Sequence, residues 1–208
     1  MNNLREKIIN TSLTLFEQHG FHGVTVKQIV EASNTSKGGF YHYFYSKEEL
    51  LFVIHDSFIT YVSKEAKDAI ATHSSPVNQI QAIIRSFIKV FDLYKPHISV
   101  FYQESKYLKP AYEKQIKEKR DEFKQMVLQV IEDGQKAGHF RKEVPPILGT
   151  MSILGMVNWI YKWYDPHGEF SIDEIADVFI DLVLHSLLIT EDEDYYQGKM
   201  LKAPFFYN

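Results

Sequence analysis

The chain has 208 residues, with 23 basic against 27 acidic side chains for a formal net charge of −4, and no cysteine. The lack of cysteine excludes disulfides, thiolate metal sites and cysteine nucleophiles. The length suits two domains, and a hydrophobic content of 45% is ordinary for a globular chain. No apolar run reaches the ~18 residues of a membrane span, and no basic-then-apolar leader is apparent, so a soluble, cytoplasmic protein is expected.

In chain order, Ile8, Ile9, Leu13 and Phe16 form one stripe of a first helix. Gly20 and Gly23 punctuate its end, and Phe21 is expected to insert into a small core. Thr25 followed by Gln28 is a capping box, so a helix should begin at Val26, with Val26, Ile29 and Val30 on one face. Asn34, Thr35 and Ser36 interrupt the pattern and supply the next N-cap. A second short helix is predicted over 36–42, with Phe40 and Phe44 as inward anchors. Ser46 with Glu49 reads as another capping box, followed by Leu50, Leu51, Ile54 and Phe58 at helical spacing. Two short helices separated by a tight turn are the arrangement of a helix-turn-helix, whose second helix lies in the DNA major groove.

The rest of the chain also reads as helix. Ser75-Pro76 places a cap and a first-turn proline before Ile80, Ile83, Ile84, Phe87, Ile88 and Phe91. Lys95-Pro96 opens a short helix to about Glu104, and Lys109-Pro110 a long one that stops near Gly134 or Gly138. Pro145-Pro146 begins the next, residues 165–168 read as a turn, and Ser171 with Glu174 caps a final long helix. The expected fold is all-α, with about nine helices. Residues 1–50 form the helix-turn-helix domain, 51–190 a ligand-binding and dimerisation bundle, and 191–208 an acidic and aromatic tail. The last two long helices are apolar around much of their circumference and must bury more than one stripe, which points to a four-helix interface between two copies.

The chemistry of residues 25–47 suits nucleic acid. Three lysines, Lys27, Lys37 and Lys47, stand against one acid, Glu31, in a chain that is acidic overall. Phosphate contact needs local positive charge and helix N-termini. Thr25 and Ser36 put hydroxyls at helix starts, where backbone N–H groups also favour an anion. Lys47 in the first turn of its helix opposes the macrodipole, and a phosphate contact would explain its position. Lys37, Gly38, Tyr41 and His42 are the candidates for base edges or the adjacent backbone. Solvated lysines and core tyrosines are the competing structural explanation.

Phe16, Gly20, V-T-V-K-Q-I, S-K-G-G-F-Y-H-Y-F and S-K-E-E-L together resemble the DNA-binding domain of TetR-family transcriptional regulators. The likeness covers about the first quarter of the chain. It implies a homodimer that binds a palindromic operator, with repression relieved by a small molecule in the larger domain. Gly39 departs from the family pattern, which more often has Thr or Ala there. Glycine weakens the helix and removes one base-reading side chain.

The segment N-W-I-Y-K-W-Y-D-P-H-G after Val157, with Phe101-Tyr102-Gln103-Glu104 and the run holding Lys117, Lys119 and Arg120, resembles a TetR subgroup responsive to acyl-coenzyme A thioesters, including regulators of lipid and sterol-ring breakdown. Lys162 stands where an Arg often sits, keeping the charge but losing the bidentate fork. Such a ligand would want a cation, an aromatic face and an apolar cavity. Lys162 and Arg120 are the candidate cations. Trp159 and Trp163, four apart, are candidate stacking faces. Phe87, Phe91, Phe101, Tyr102, Met126, Met151 and Leu154 are candidates to line the tail pocket. A fatty acid, a steroid-like molecule or a planar apolar drug is the alternative effector, and core or dimer packing is the alternative role for the aromatics.

Catalysis is not expected. The nine histidines are scattered, and no H-E-x-x-H, G-x-S-x-G or phosphate-binding glycine loop is present. No cofactor or metal is expected. The remaining alternative is a helical interaction module that does not bind DNA.

Overall fold

The computed structural model describes residues 4–189. Among them the chain is all-α: α1 (Leu4–Gly23), α2 (Val26–Ala32), α3 (Lys37–Tyr43), α4 (Lys47–Thr72), α5 (Pro76–Leu93), α6 (Lys95–Glu104), a 3-10 turn (Ser105–Tyr107), α7 (Pro110–Lys136), α8 (Pro146–Asn158), α9 (Ile160–Trp163) and α10 (Ile172–Leu187). Trp159 alone separates α8 from α9 and keeps αR angles, so the two are nearly one rod; counted together they bring the total to nine. The expected tail, 191–208, lies outside the described residues.

The small N-terminal core follows the apolar stripes. Ile8, Leu13 and Phe16 of α1 pack with Val24, Ile29, Phe40, Phe44 and Leu50, all nearly or wholly inaccessible. Gly20 interrupts α1 with φ 68° and ψ 161°, a region open essentially to glycine alone. This break folds Phe21 back until its ring centroid lies 5.4 Å from that of Phe16.

Caps set most helix starts. The Thr25–Gln28 box is complete: Gln28 N–H donates to Thr25 Oγ1 at 3.2 Å, and Thr25 N–H to Gln28 Oε1 at 2.7 Å. Ser171–Glu174 forms a second complete box. At Ser46 only half forms. Glu49 N–H donates to Ser46 Oγ at 3.1 Å, but the Glu49 carboxylate accepts from Tyr45 N–H, one residue before the cap. Ser75 makes no side-chain cap bond, leaving the start of α5 to Pro76 at the first turn.

In the second body, α4, α5 and α7 pack together, α10 lies along α5, and α8 lies on α7. The expected boundary at residue 50 falls inside α4, which runs unbroken for 26 residues from the helix-turn-helix to this larger core. Helix α7 ends at Lys136; Gly138 follows at φ 75°, and His139 and Phe140 N–H groups both return to Gly134 O, at 2.9 and 3.1 Å. The Phe140 ring lies directly on Gly134, where an added Cβ would come within 2.0 Å of it. Arg141 N–H then donates to Leu187 O at 2.8 Å, tying this loop to the end of α10.

Candidate reading head and effector cavities

Helix α3 is positioned by what it buries. Phe40 and Phe44 are within 1% of full burial, which turns Lys37, Gly38, Tyr41 and His42 outward. Tyr41 is 51% exposed and meets Phe40 only edge-on. Ser36 Oγ accepts from Gly39 N–H at 3.0 Å, so the helix start is capped while Lys37 stands beside it in solvent. Thr25 and Lys27 are exposed at the start of α2, with Lys27 3.9 Å from Glu31. Gly39 has a local reason to lack a side chain: a Cβ there would lie 2.5 Å from Thr35 Oγ1.

Lys47 has a structural reason for its position as well. Its Nζ donates to Phe21 O and Val24 O, both at 2.6 Å, and lies 4.2 Å from the Phe21 ring centroid. Burial lowers its pKa, against the opposing influence of Glu48. Two of the three N–H donors are thereby engaged, and one remains for a phosphate. Tyr45, 88% exposed beside this group, was not singled out by sequence reasoning, although an aromatic outside the apolar register was a visible signal.

The candidate effector residues separate into two groups. Phe91 and Lys162 line a cavity of about 190 Å³ with Glu17, Ile98, Gln103, Tyr161 and Tyr164. Phe101 and Arg120 line a second cavity of about 100 Å³, whose other walls include His55, Lys106, Leu108 and Ile116. Tyr102 lies between the two: its ring stacks on Tyr161 at 4.1 Å and its hydroxyl donates to Asn158 at 2.7 Å. Burial first, then Tyr161, raises the Tyr102 pKa, so the hydroxyl keeps its proton. Phe87 is buried against Phe91 and Phe123, and Met126 and Leu154 are half-buried against the core; none of these three lines either cavity.

Met151, Trp159 and Trp163 are placed elsewhere. They are 51%, 61% and 46% exposed, on the outer side with Ile147 and Leu148 of α8 and Val178 and Leu182 of α10. The Lys162 Nζ lies over the Tyr161 ring at 4.8 Å. The outer surface of α8 and α10 is thus an apolar patch, while the cavities use residues of α1, α4, α5, α6, α7 and α9.

One buried polar residue escaped sequence reasoning. His55 on α4 is fully inaccessible. Its Nδ1 is 2.9 Å from Leu51 O, so Nδ1–H donates there and Nε2 is left as an acceptor. Burial pushes its pKa down to about 4, against the Leu51 and Phe101 carbonyls, which favour the charged ring, while Arg120 adds to the depression.

The reading head meets the larger body where α1 packs on α6 and at the 3-10 turn that follows. Tyr107 contacts Phe21 and His22 at the end of α1, with ring centroids 5.9 and 4.1 Å away.

The comparisons with known proteins agree with this anatomy. Residues 8–54 match the description "Bacterial regulatory proteins, tetR family", and residues 73–187 match "Tetracyclin repressor-like, C-terminal domain". The chain is 26% identical over 186 residues to the HTH-type transcriptional repressor KstR2 of Rhodococcus jostii (strain RHA1), covering 88% of this chain and 90% of that protein. In fold it resembles the ketosteroid transcriptional regulator KstR2 of Mycobacterium tuberculosis, with a TM-score of 0.82 at 19% identity over 91% of this chain and 97% of that one. It also resembles AibR in complex with isovaleryl coenzyme A and operator DNA, with a TM-score of 0.76 at 24% identity over 86% and 97%. These families consist of regulators, not enzymes, and among the described residues no helix is long and apolar enough to cross a membrane. The chain belongs to the TetR family and is a DNA-binding transcriptional regulator.

Proposed function

We propose that the protein is a homodimeric repressor that holds a palindromic operator with α3 and is released by an acyl-coenzyme A or a related lipid effector. The observation that carries this reading is α4. Lys47 at its start fastens the end of α1, and His55 and Phe58, about two and three turns on, are buried in the larger core. A rotation of α4 that accommodates a ligand must therefore move the reading head.

Gly38, Tyr41 and His42 face the groove in this reading, and Thr25, Lys27, Ser36, Lys37, Gly39 and Lys47 meet the backbone. The two α3 helices of a dimer must lie about 34–36 Å apart to enter successive major grooves, so a shift of a few ångströms loses one half-site. The apolar patch of α8 and α10 is the surface through which two copies pair.

The effector class draws on the KstR2 relative and on the AibR complex, together with the cavity chemistry. Neither cavity approaches the ~300–1,000 Å³ of a site that encloses a drug-sized ligand. A coenzyme A thioester would place its acyl end inside and leave its phosphates at the exposed cations, Lys162 or Arg120. The test is fluorescence anisotropy of an operator duplex titrated with acyl-coenzyme A thioesters and with the free acids. Release by thioesters alone supports the reading. Release by free acids alone, or by a planar drug alone, replaces the effector class.

A further inference from the structure

The second cavity joins a closed end to an open one. His55 lies at its foot, fully buried, with Nε2 lacking any hydrogen-bond donor among the described residues. Phe101, Leu108 and Ile116, each no more than 8% exposed, form apolar walls. Lys106 and Arg120 stand exposed at the rim, and Glu113 is the one acid among the residues that line the cavity. With the single ring proton on Nδ1 against Leu51 O, Nε2 is an acceptor, and the Phe101 carbonyl, itself an acceptor, does not satisfy it. A buried acceptor left without a donor is unfavourable, which makes it a point of selection for whatever enters.

We propose that this cavity is a selectivity subsite for an amphiphilic effector: a hydroxyl or N–H at the end of an apolar stretch donates to His55 Nε2, while an anionic group of the same molecule remains at Lys106 and Arg120. This deepens the effector reading above and rests on it. The geometry sets the order of groups along the ligand, from anion at the rim through apolar middle to hydrogen-bond donor at the foot. A plain alkyl end would bury Nε2 still without a partner and be discriminated against. The low pKa of His55 is consistent with a ring that accepts and does not donate. The subsite also touches the regulatory joint, because its wall includes Lys106, next to Tyr107 on the same 3-10 turn.

The test uses the full-length dimer and paired probes: short ω-hydroxyalkanoates and their coenzyme A thioesters, each against the molecule ending in methyl. Calorimetric affinities are compared for the wild type, His55→Leu and Arg120→Ala, with circular dichroism as the check on folding. The wild type should prefer the hydroxylated member about tenfold. His55→Leu should abolish the preference, and Arg120→Ala should weaken both members while keeping their ratio. Should His55→Leu not fold, the His55 side-chain nitrogen shifts of the wild type give the same reading, because the hydroxylated probe alone should move Nε2. No binding, no hydroxyl preference, a preference that survives His55→Leu, or an unmoved Nε2 overturns the subsite. Binding with the expected selectivity but without operator release upholds the subsite and refutes the effector role.

Discussion

The Tyr107 ring stacks on that of Phe21, with centroids 5.9 Å apart and planes inclined by 20°. Phe21 is also the residue whose carbonyl Lys47 grips and whose position depends on the backbone of Gly20. One aromatic ring thus joins the end of α1, the start of α4 and the turn after α6. Tyr107→Ala removes a pair worth about 0.5–1.5 kcal/mol beyond buried area and should blunt effector release more than it weakens operator binding. Tyr107→Phe, which keeps the stack, should behave as wild type. Operator affinity measured with and without effector checks both; equal loss in both states would place Tyr107 outside the coupling.

At the reading head, Lys37→Ala and Tyr41→Ala should each weaken the operator complex, Tyr41 by about 1–3 kcal/mol if it meets a base edge. Lys37→Ala should also lower the slope of log affinity against log salt by about one, the mark of a lost phosphate contact. Anisotropy titrations at several salt concentrations separate the two roles. Unchanged affinity in both variants would remove these residues from the interface.

Two glycines should resist substitution for different reasons. Gly20→Ala forces a Cβ onto φ 68°, ψ 161°, and Gly134→Ala drives one into the Phe140 ring. Backbone strain at Gly20 and overpacking at Gly134 each destabilise by about 1–3 kcal/mol, and each kcal/mol lowers the melting temperature by roughly 2–4 °C in a chain of this size. Gly20→Ala should in addition loosen Phe21 and reduce operator affinity, whereas Gly134→Ala should change the melting temperature alone. Calorimetric melting beside an operator titration distinguishes them.

Stability should depend on pH through His55. The unfolded ring titrates near its ordinary value of 6.5 and the folded one near 4, so below pH 6.5 the unfolded chain binds a proton that the folded chain refuses. Stability contributed by the neutral ring is complete above pH 6.5, falls as pH drops toward 4 and is flat below. The full loss is on the order of 3 kcal/mol for a wholly buried group. His97, lowered to about 4 by burial, acts in the same direction. Urea melts between pH 4 and 7 should show a shallower slope in His55→Leu than in the wild type; identical slopes would exclude the buried neutral ring.

In the proposed dimer the outer patch on α8 and α10 is the interface. Met151→Glu or Leu182→Asp places a charge on a surface where both native side chains are about half exposed in the single chain. Each should shift the protein to monomer and abolish high-affinity operator binding without unfolding it. Sedimentation velocity is the check, and a persistent dimer would move the interface elsewhere.

Much of this architecture was legible because it is locally encoded. Thr25–Gln28 and Ser171–Glu174 are three-residue relationships that need only their own turn of helix, and both close as the spacing predicts. The apolar stripe from Ile8 to Phe16 likewise identified its own buried face. What remained hidden depends on distant partners. Ser46–Glu49 has the same spacing, yet Glu49 turns to Tyr45 N–H. Lys47 looked like an uncompensated charge until the Phe21 and Val24 carbonyls were seen against it. Trp159 and Trp163 were recognisable as neighbours on a helix, but periodicity could not tell whether that face looked inward to a cavity or outward beside α10. His55 is hidden in the sequence because α4 carries enough apolar residues to conceal one polar side chain among them.

The most direct test of the central claim is native mass spectrometry of the protein on a palindromic duplex selected from a random pool, with acyl-coenzyme A added stepwise. The account predicts two chains per duplex at the start, and ligand-bearing dimers that have lost their DNA as thioester is added. Ligand-bearing dimers that keep the duplex, or a single chain on each duplex, would contradict it.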